Sequence, residues 1–259
     1  MMFEQLREVF TYKEMLISTV KKDLRSRYRG SVLGFLWTFI NPLMQLVIYS
    51  VVFPYLLKMQ EENYPMYVFV GLLPWIYFTS SIQISTTCVV GNSNLVKKIY
   101  FPRMILPISV STTGLVNYLF GLVIVFPALL ITGVKLTPYA FFLPVVLAVN
   151  YLFTTGFCLL LGAAYVYFRD LEHIVGIVTT AWFYLTPVVY NLRIFPENVQ
   201  KILAFNPMTQ FVTAYRDVLM YGRLPSAVGF GGVALVSAAI FLLGAAVFSR
   251  LQKNFAEEL

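Results

Sequence analysis

His173 is the only histidine in the chain, and Asp170 and Glu172 stand just before it. A histidine beside two carboxylates can move protons or, with further ligands, hold a metal. No H-E-x-x-H pattern and no Cys/His cluster accompanies it, so a structural role is expected and no metal site. Cys88 and Cys158 both lie in apolar stretches and offer no disulfide framework. The chain contains no Gly-Lys dipeptide. The phosphate-cradling loop G-x-x-x-x-G-K-[ST] is therefore missing, and ATP cannot be bound that way. Ser109, Ser111, Thr112, Thr113, Thr179 and Thr180 have no neighbouring base and read as helix-packing hydroxyls.

One neutral stripe has chemical promise. Gly34, Thr38, Asn41, Gln45, Tyr49 and Phe53 follow each other in steps of three and four, so one helix face is small, polar or aromatic. Lipid gives Asn41 and Gln45 no hydrogen-bond partner, which leaves a helix-packing seam or a wet path. Aromatic rings with amides suit the faces and hydroxyls of sugars. Trp75, Tyr77, Phe78, Trp182, Phe183 and Tyr184 fit either a path or an interfacial aromatic belt.

The elements that carry these residues are membrane spans. Hydrophobic residues make up 59% of the chain and charged ones 12%, about half the charge of an ordinary soluble domain. From residue 32 to 57 no charged residue occurs, a run of about 39 Å as helix at 1.5 Å per residue. A bilayer core is about 30 Å thick. Five further charge-poor stretches follow at 67–90, 104–134, 136–168, 174–190 and 227–248, giving six candidate spans in one transmembrane domain. The fifth is near the lower length limit and contains Pro187, so a break is expected there. No Asp, Glu, Lys or Arg interrupts the central spans. That counts against a proton-coupled carrier and points to energy supplied by a partner.

Lys and Arg orient the chain. With the N-terminus inside, the inner segments hold Arg7, Lys13, Lys21, Lys22, Arg25, Arg27, Arg29, Lys97, Lys98, Arg103, Arg169, Arg250 and Lys253. The outer ones hold Lys58, Lys135, Arg193, Lys201, Arg216 and Arg223. The excess is roughly twofold, so both termini are expected to be cytoplasmic. The formal net charge of +7 follows from this bias and calls for no nucleic acid. The N-terminus lacks the short apolar core and cleavage site of a signal peptide.

Three segments outside the spans have their own organisation. Leu16, Val20, Leu24 and Tyr28 are spaced by four, which predicts an amphipathic helix in the membrane interface over residues 1–31. In the loop 92–103, Asn92, Ser93 or Asn94 can cap a short helix with Leu95, Ile99 and Tyr100 on its apolar face, and Pro102 stops it. A docking helix and a plain basic turn are both open. In 191–226, Pro196 opens one short helix and Asn206-Pro207 a second, ending near Gly222. Phe211, Tyr215, Val218 and Leu219 share its apolar side beside Arg216 and Asp217. Helices this short are expected to be re-entrant or interfacial.

The segments RYRGSVLGFLWTFINPLMQLVIYSVVF, LVKKIYFPRMILP, YFRDLEHIVGIVTTAWFYLTPVVY and NPMTQFVTAYRDVLMYG follow in that order. Together, and over nearly the whole chain, they resemble the membrane subunit of type-2 ABC exporters of lipid-linked polysaccharide, the group serving O-antigen, capsule and wall teichoic acid. The resemblance implies an all-α polytopic fold with six transmembrane helices, an N-terminal interfacial helix and re-entrant outer gate helices. It implies a homodimer in the bacterial cytoplasmic membrane, two separate ATPase subunits that bind ATP and Mg, and an undecaprenyl-linked polysaccharide substrate.

Carried over to this sequence, Leu95, Lys97, Lys98, Ile99, Tyr100 and Arg103 would couple to the ATPase. Arg25, Arg27 and Arg29 would lie near the lipid pyrophosphate, and Arg169 and Asp170 would form a cytoplasmic gate. Asn206, Pro207, Tyr215, Arg216 and Asp217 would belong to the outer gate. Asn41, Gln45, Tyr49, Phe53, Trp182, Phe183 and Tyr184 would line the path. Two other readings stay open. One is an exporter of drugs or small lipids with the same fold. The other is a polytopic glycosyl- or acyltransferase, for which Asp170 and Glu172 are the candidate pair.

Overall fold

A computed structural model describes residues 2–26, 33–57 and 63–259, and among these every regular element is helical. Helices α1 (Met2–Thr11) and α2 (Lys13–Ser26) precede α3 (Trp37–Leu57). Then come α4 (Tyr64–Gly91), the short α5 (Ser93–Lys98), α6 (Ile105–Ile131), α7 (Leu143–Tyr167) and α8 (Leu171–Tyr184). Two short helices, α9 (Glu197–Ala204) and α10 (Pro207–Leu219), lead to α11 (Ala227–Leu251) and the terminal α12 (Phe255–Glu258). Four of these regions, Tyr64–Gly91, Ile105–Ile131, Pro138–Tyr167 and Ala227–Asn254, are long and apolar enough to cross a membrane by themselves.

Helix α4 is the axis of the bundle, with α3, α6, α7, α8 and α10 packed around it. Phe78 at its middle is fully buried, and its ring meets Phe153 at 5.4 Å, Phe157 at 5.6 Å and Trp182 at 5.2 Å. The apolar outer faces of α6 and α11, with Val123, Leu130, Val228 and Leu235 exposed, suit lipid. Small residues set how closely the inner helices approach. A Cβ on Gly156 of α7 would stand 2.7 Å from the backbone nitrogen of Phe241 on α11. Hydroxyls tie the same helices together, as sequence suggests: Ser111 to Thr155 at 2.8 Å, Tyr77 to Ser111 at 3.2 Å and Thr112 to Tyr151 at 2.9 Å.

The ends of the bundle differ. A second apolar core at one end gathers Val9 of α1, Val96 of α5, Phe101, Val166 of α7 and Phe255 of α12. Both chain ends therefore lie beside α5. The opposite end carries Tyr64, the α9–α10 segment and the last turn of α8.

Two expectations shift here. Helix α2 turns Val20 inward and packs along α6, so part of its apolar stripe is spent on the protein itself. The stretch 174–190 is helical only to Tyr184. Fourteen residues in α8 reach about 21 Å, short of a bilayer core of about 30 Å. The chain continues through buried, irregular residues 186–188, and Tyr64 and Tyr67 donate hydroxyl hydrogen bonds to the carbonyls of Val189 and Tyr190 at 2.7 and 2.9 Å.

Candidate functional site

Irregular backbone inside an apolar bundle leaves carbonyls without helical partners, and each must find one or cost free energy. Arg216 answers that need. Its residue is 3% exposed. Nε donates to the Tyr67 carbonyl at 3.0 Å, one Nη to Pro187 at 2.7 Å and the other to Val188 at 2.6 Å. The guanidinium carbon also lies 3.5 Å from the centre of the Tyr67 ring, a desolvated cation–π contact. Gly71, one turn further along α4, has no side chain because a Cβ there would approach the guanidinium to 2.5 Å. The planar fork fits three acceptors in fixed directions, which lysine could not do.

Asn206 makes the neighbouring joint. As N-cap of α10 its Oδ1 accepts from Met208 N at 3.0 Å and from Trp182 Nε1 at 2.8 Å. Its Nδ2 donates to the Leu185 carbonyl and to Thr186 Oγ1, both at 3.0 Å. Pro207 follows as the first helical residue, where a missing N–H costs nothing. Asp217 is buried and paired with Arg223 at 2.7 Å. Burial raises the Asp217 pKa above its ordinary value, and the Arg223 guanidinium opposes that shift. Tyr215 is fully buried, its hydroxyl accepting from Asn150 Nδ2 at 3.2 Å. All five residues expected at the outer gate are thus joined into one hydrogen-bonded and packed unit against α4, α6, α7 and the broken end of α8.

The residues expected along the path are distributed unevenly. Trp182 and Phe183 pack inward, on Phe78 and on Trp75 respectively, while Tyr184 is 71% exposed. Asn41 lines a cavity of about 140 Å³ with Trp37, Pro42, Tyr77, Asn117 and Tyr118, between α3, α4 and α6. Gln45 Oε1 is buried without a partner. Tyr49 and Phe53 fall on α3, but their side chains lie outside the described residues.

At the end near the termini, Arg25 is exposed at the close of α2, and Arg27 and Arg29 lie outside the described residues. Arg169 stacks over the Tyr165 ring at 5.3 Å. Asp170 and His173 are exposed, and Glu172 accepts from Tyr165 Oη at 3.0 Å. Among the described residues no group of His, Cys, Asp and Glu converges as metal ligands would.

The α5 segment corrects one expectation. The helix ends at Lys98, with Ile99 extended, so Ile99 and Tyr100 are not on its face. Val96 fills the buried position, Leu95 is half-buried against the same core, and Asn92 spends its side-chain amide on the Cys88 carbonyl at 2.8 Å rather than on a cap. Tyr100 is 82% exposed, and Lys97, Lys98 and Ile99 are exposed beside it. Arg103 donates to the Gln252 carbonyl. The result is a basic, partly aromatic projection held on a rigid base of α1, α5 and α12.

Sequence reasoning overlooked Tyr64, Tyr67, Gly71, Asn117 and Asn150. The asparagines gave a usable signal, since an amide in an apolar span needs a partner or a wet neighbour.

The profile of the ABC-2 type transporter family matches residues 15–220. The chain is 36% identical to an O-antigen export system permease protein of Myxococcus xanthus, over the whole of both chains. It is 32% identical to one of Klebsiella pneumoniae over 95% of each chain. Similarity extends, at 21% identity over 88% of this chain and 89% of the other, to a polysialic acid transport protein of Escherichia coli.

Proposed function

The chain belongs to the ABC-2 type transporter family, and from that premise we propose that it is the permease subunit of an exporter of lipid-linked polysaccharide. The observation that carries this reading is the full-length likeness to O-antigen export permeases. The more distant likeness to a polysialic acid transport protein supports glycan cargo as the common feature. The chain has no phosphate-cradling loop, so ATP and Mg belong to a separate ATPase subunit.

In this reading two copies of the chain meet two copies of the ATPase in the bacterial cytoplasmic membrane, with both termini inside. The projection Lys97–Tyr100 docks in the ATPase, because it is exposed and its base is fixed. Arg25, Arg27 and Arg29 attend the isoprenoid pyrophosphate, since guanidinium groups pair well with phosphate oxygens. Arg169 and Asp170 stand at the cytoplasmic mouth. The unit around Arg216 and Asn206 closes the outer side as one body, and Tyr184 offers an exposed ring to the passing glycan.

The docking role is tested by purifying the complex with Ile99→Asp and Tyr100→Asp together. Both side chains are exposed in the free chain, so insertion and folding should be unchanged while the ATPase no longer copurifies. Normal copurification would make the projection a mere connector.

A further inference from the structure

Buried polar atoms without partners are rare in folded proteins, and each one asks for an explanation. Among the described residues, four of the nine such atoms lie along one seam. Ser81 on α4 is 2% exposed and Thr113 on α6 is 5% exposed, and neither hydroxyl oxygen has a hydrogen-bond partner. One turn beyond Thr113, both amide atoms of Asn117 are buried and unpartnered. Two cavities meet at this seam and share Ser80 and Gly114. The larger, of about 420 Å³, runs between α2, α4 and α6 past Thr87, Gly91 and Asn92. The smaller, described above, continues under α3 to Asn117 and Asn41. From Gly91 to Tyr77 the seam follows α4 for about 21 Å at 1.5 Å per residue, beginning at the end that carries the termini.

The chemistry of the lining selects its occupant. No Lys or Arg lines either cavity among the described residues, and Asp23 is the one charged side chain there. Hydroxyls and amides that both donate and accept match a neutral, hydroxyl-rich ligand. In the smaller cavity Trp37, Tyr77 and Tyr118 add aromatic surface. Gly114 lets α4 and α6 approach closely here, because a Cβ there would collide with Ser81 Oγ.

We propose that this seam between α2, α3, α4 and α6 is a carbohydrate-binding groove, which takes the neutral sugars of the glycolipid before or during export. It rests on the export reading, and it adds a sugar site within a single protomer, apart from the aromatic residues of α8.

The test uses cells making the full transporter and its glycan. Ile84, which lines the larger cavity, is replaced by the photo-crosslinking residue benzoylphenylalanine, and Val123 on the outer face of α6 serves as the control. Illumination should give a carbohydrate-bearing adduct at residue 84 and none at 123. A phospholipid adduct alone, or no adduct, would overturn the groove. In parallel, Ser81→Ala with Thr113→Ala should lower export by roughly tenfold or more if each hydroxyl meets a sugar. Thermal stability should be unchanged or higher, because unpaired hydroxyls leave the core. Wild-type export with raised stability would make the seam ordinary packing. Surface glycan from the unsubstituted chain is scored first. Its absence strikes the export reading and the groove with it, whereas normal export without a sugar adduct at 84 strikes the groove alone.

Discussion

Arg216 carries a full charge into the apolar bundle and Asn117 only a neutral amide, yet the charge is the better provided for. The guanidinium meets three carbonyls and a tyrosine ring, whereas both amide atoms of Asn117 are buried without partners. Around Arg216 the irregular backbone at Pro187 and Val188 supplies acceptors, and one planar side chain collects them. Around Asn117, no carbonyl of the neighbouring helices lies within hydrogen-bond reach of the amide. A satisfied polar cluster rigidifies what it joins; an unsatisfied one is costly unless something else completes it. The first region therefore behaves as a joint, and the second is the part of the seam that the proposed groove uses.

Breaking the joint should give the largest effect. Arg216→Leu removes the charge and leaves the carbonyls of Pro187 and Val188 without the donors they now have. Each buried acceptor left without its donor costs about 1–3 kcal/mol, so thermal unfolding of the purified chain should shift down sharply. Arg216→Lys should fall between, keeping the charge but losing the fork. If Arg216→Leu unfolds at the wild-type temperature, the cluster is not the joint described.

A smaller loss is expected from Asn206→Ala. The substitution removes an N-cap, worth about 1 kcal/mol in typical helices, and leaves the Trp182 indole N–H without its acceptor. Stability should drop by about 1–2 kcal/mol. Trp182 fluorescence should shift as the ring loses its anchor. An unchanged spectrum would mean that Phe78 and Phe157 hold the indole unaided.

Much of this architecture is legible in the residues themselves. The long charge-free runs mark α4, α6, α7 and α11, the helices long and apolar enough to cross a bilayer among the described residues, because nothing but length and apolarity is needed to cross one. Pro196 and Asn206-Pro207 foretell α9 and α10 nearly to the residue, since capping is a local matter. The helix break after Tyr184 follows from Pro187. Partnership across the fold was not legible. Nothing near Arg216 in sequence names Tyr67 or Gly71, which lie on α4 far along the chain, and counting it among outer loop cations hid its burial. The polar stripe of α3 showed Asn41 and Gln45, but the facing Asn117 is a single amide in an apolar run without a periodic pattern around it. At α5 the spacing misled, because Ile99 continues a helical pattern on a chain that has already become extended.

The sharpest test of the contrast is a change that should do little harm. Asn117→Leu replaces an unpartnered amide by an apolar side chain of similar size, beside a cavity of about 140 Å³ that can absorb the difference in shape. Removing a buried polar group that makes no hydrogen bond relieves its desolvation cost, so stability should hold or rise by about 1 kcal/mol, opposite in sign to Arg216→Leu. Export should nevertheless weaken, because leucine offers a sugar neither donor nor acceptor. A clear fall in stability would mean that water already completes the amide in the resting protein, and the two regions would then differ in who supplies the partner rather than in whether one is present. A rise in stability with undiminished export would leave Asn117 as a residue that neither the fold nor the cargo uses.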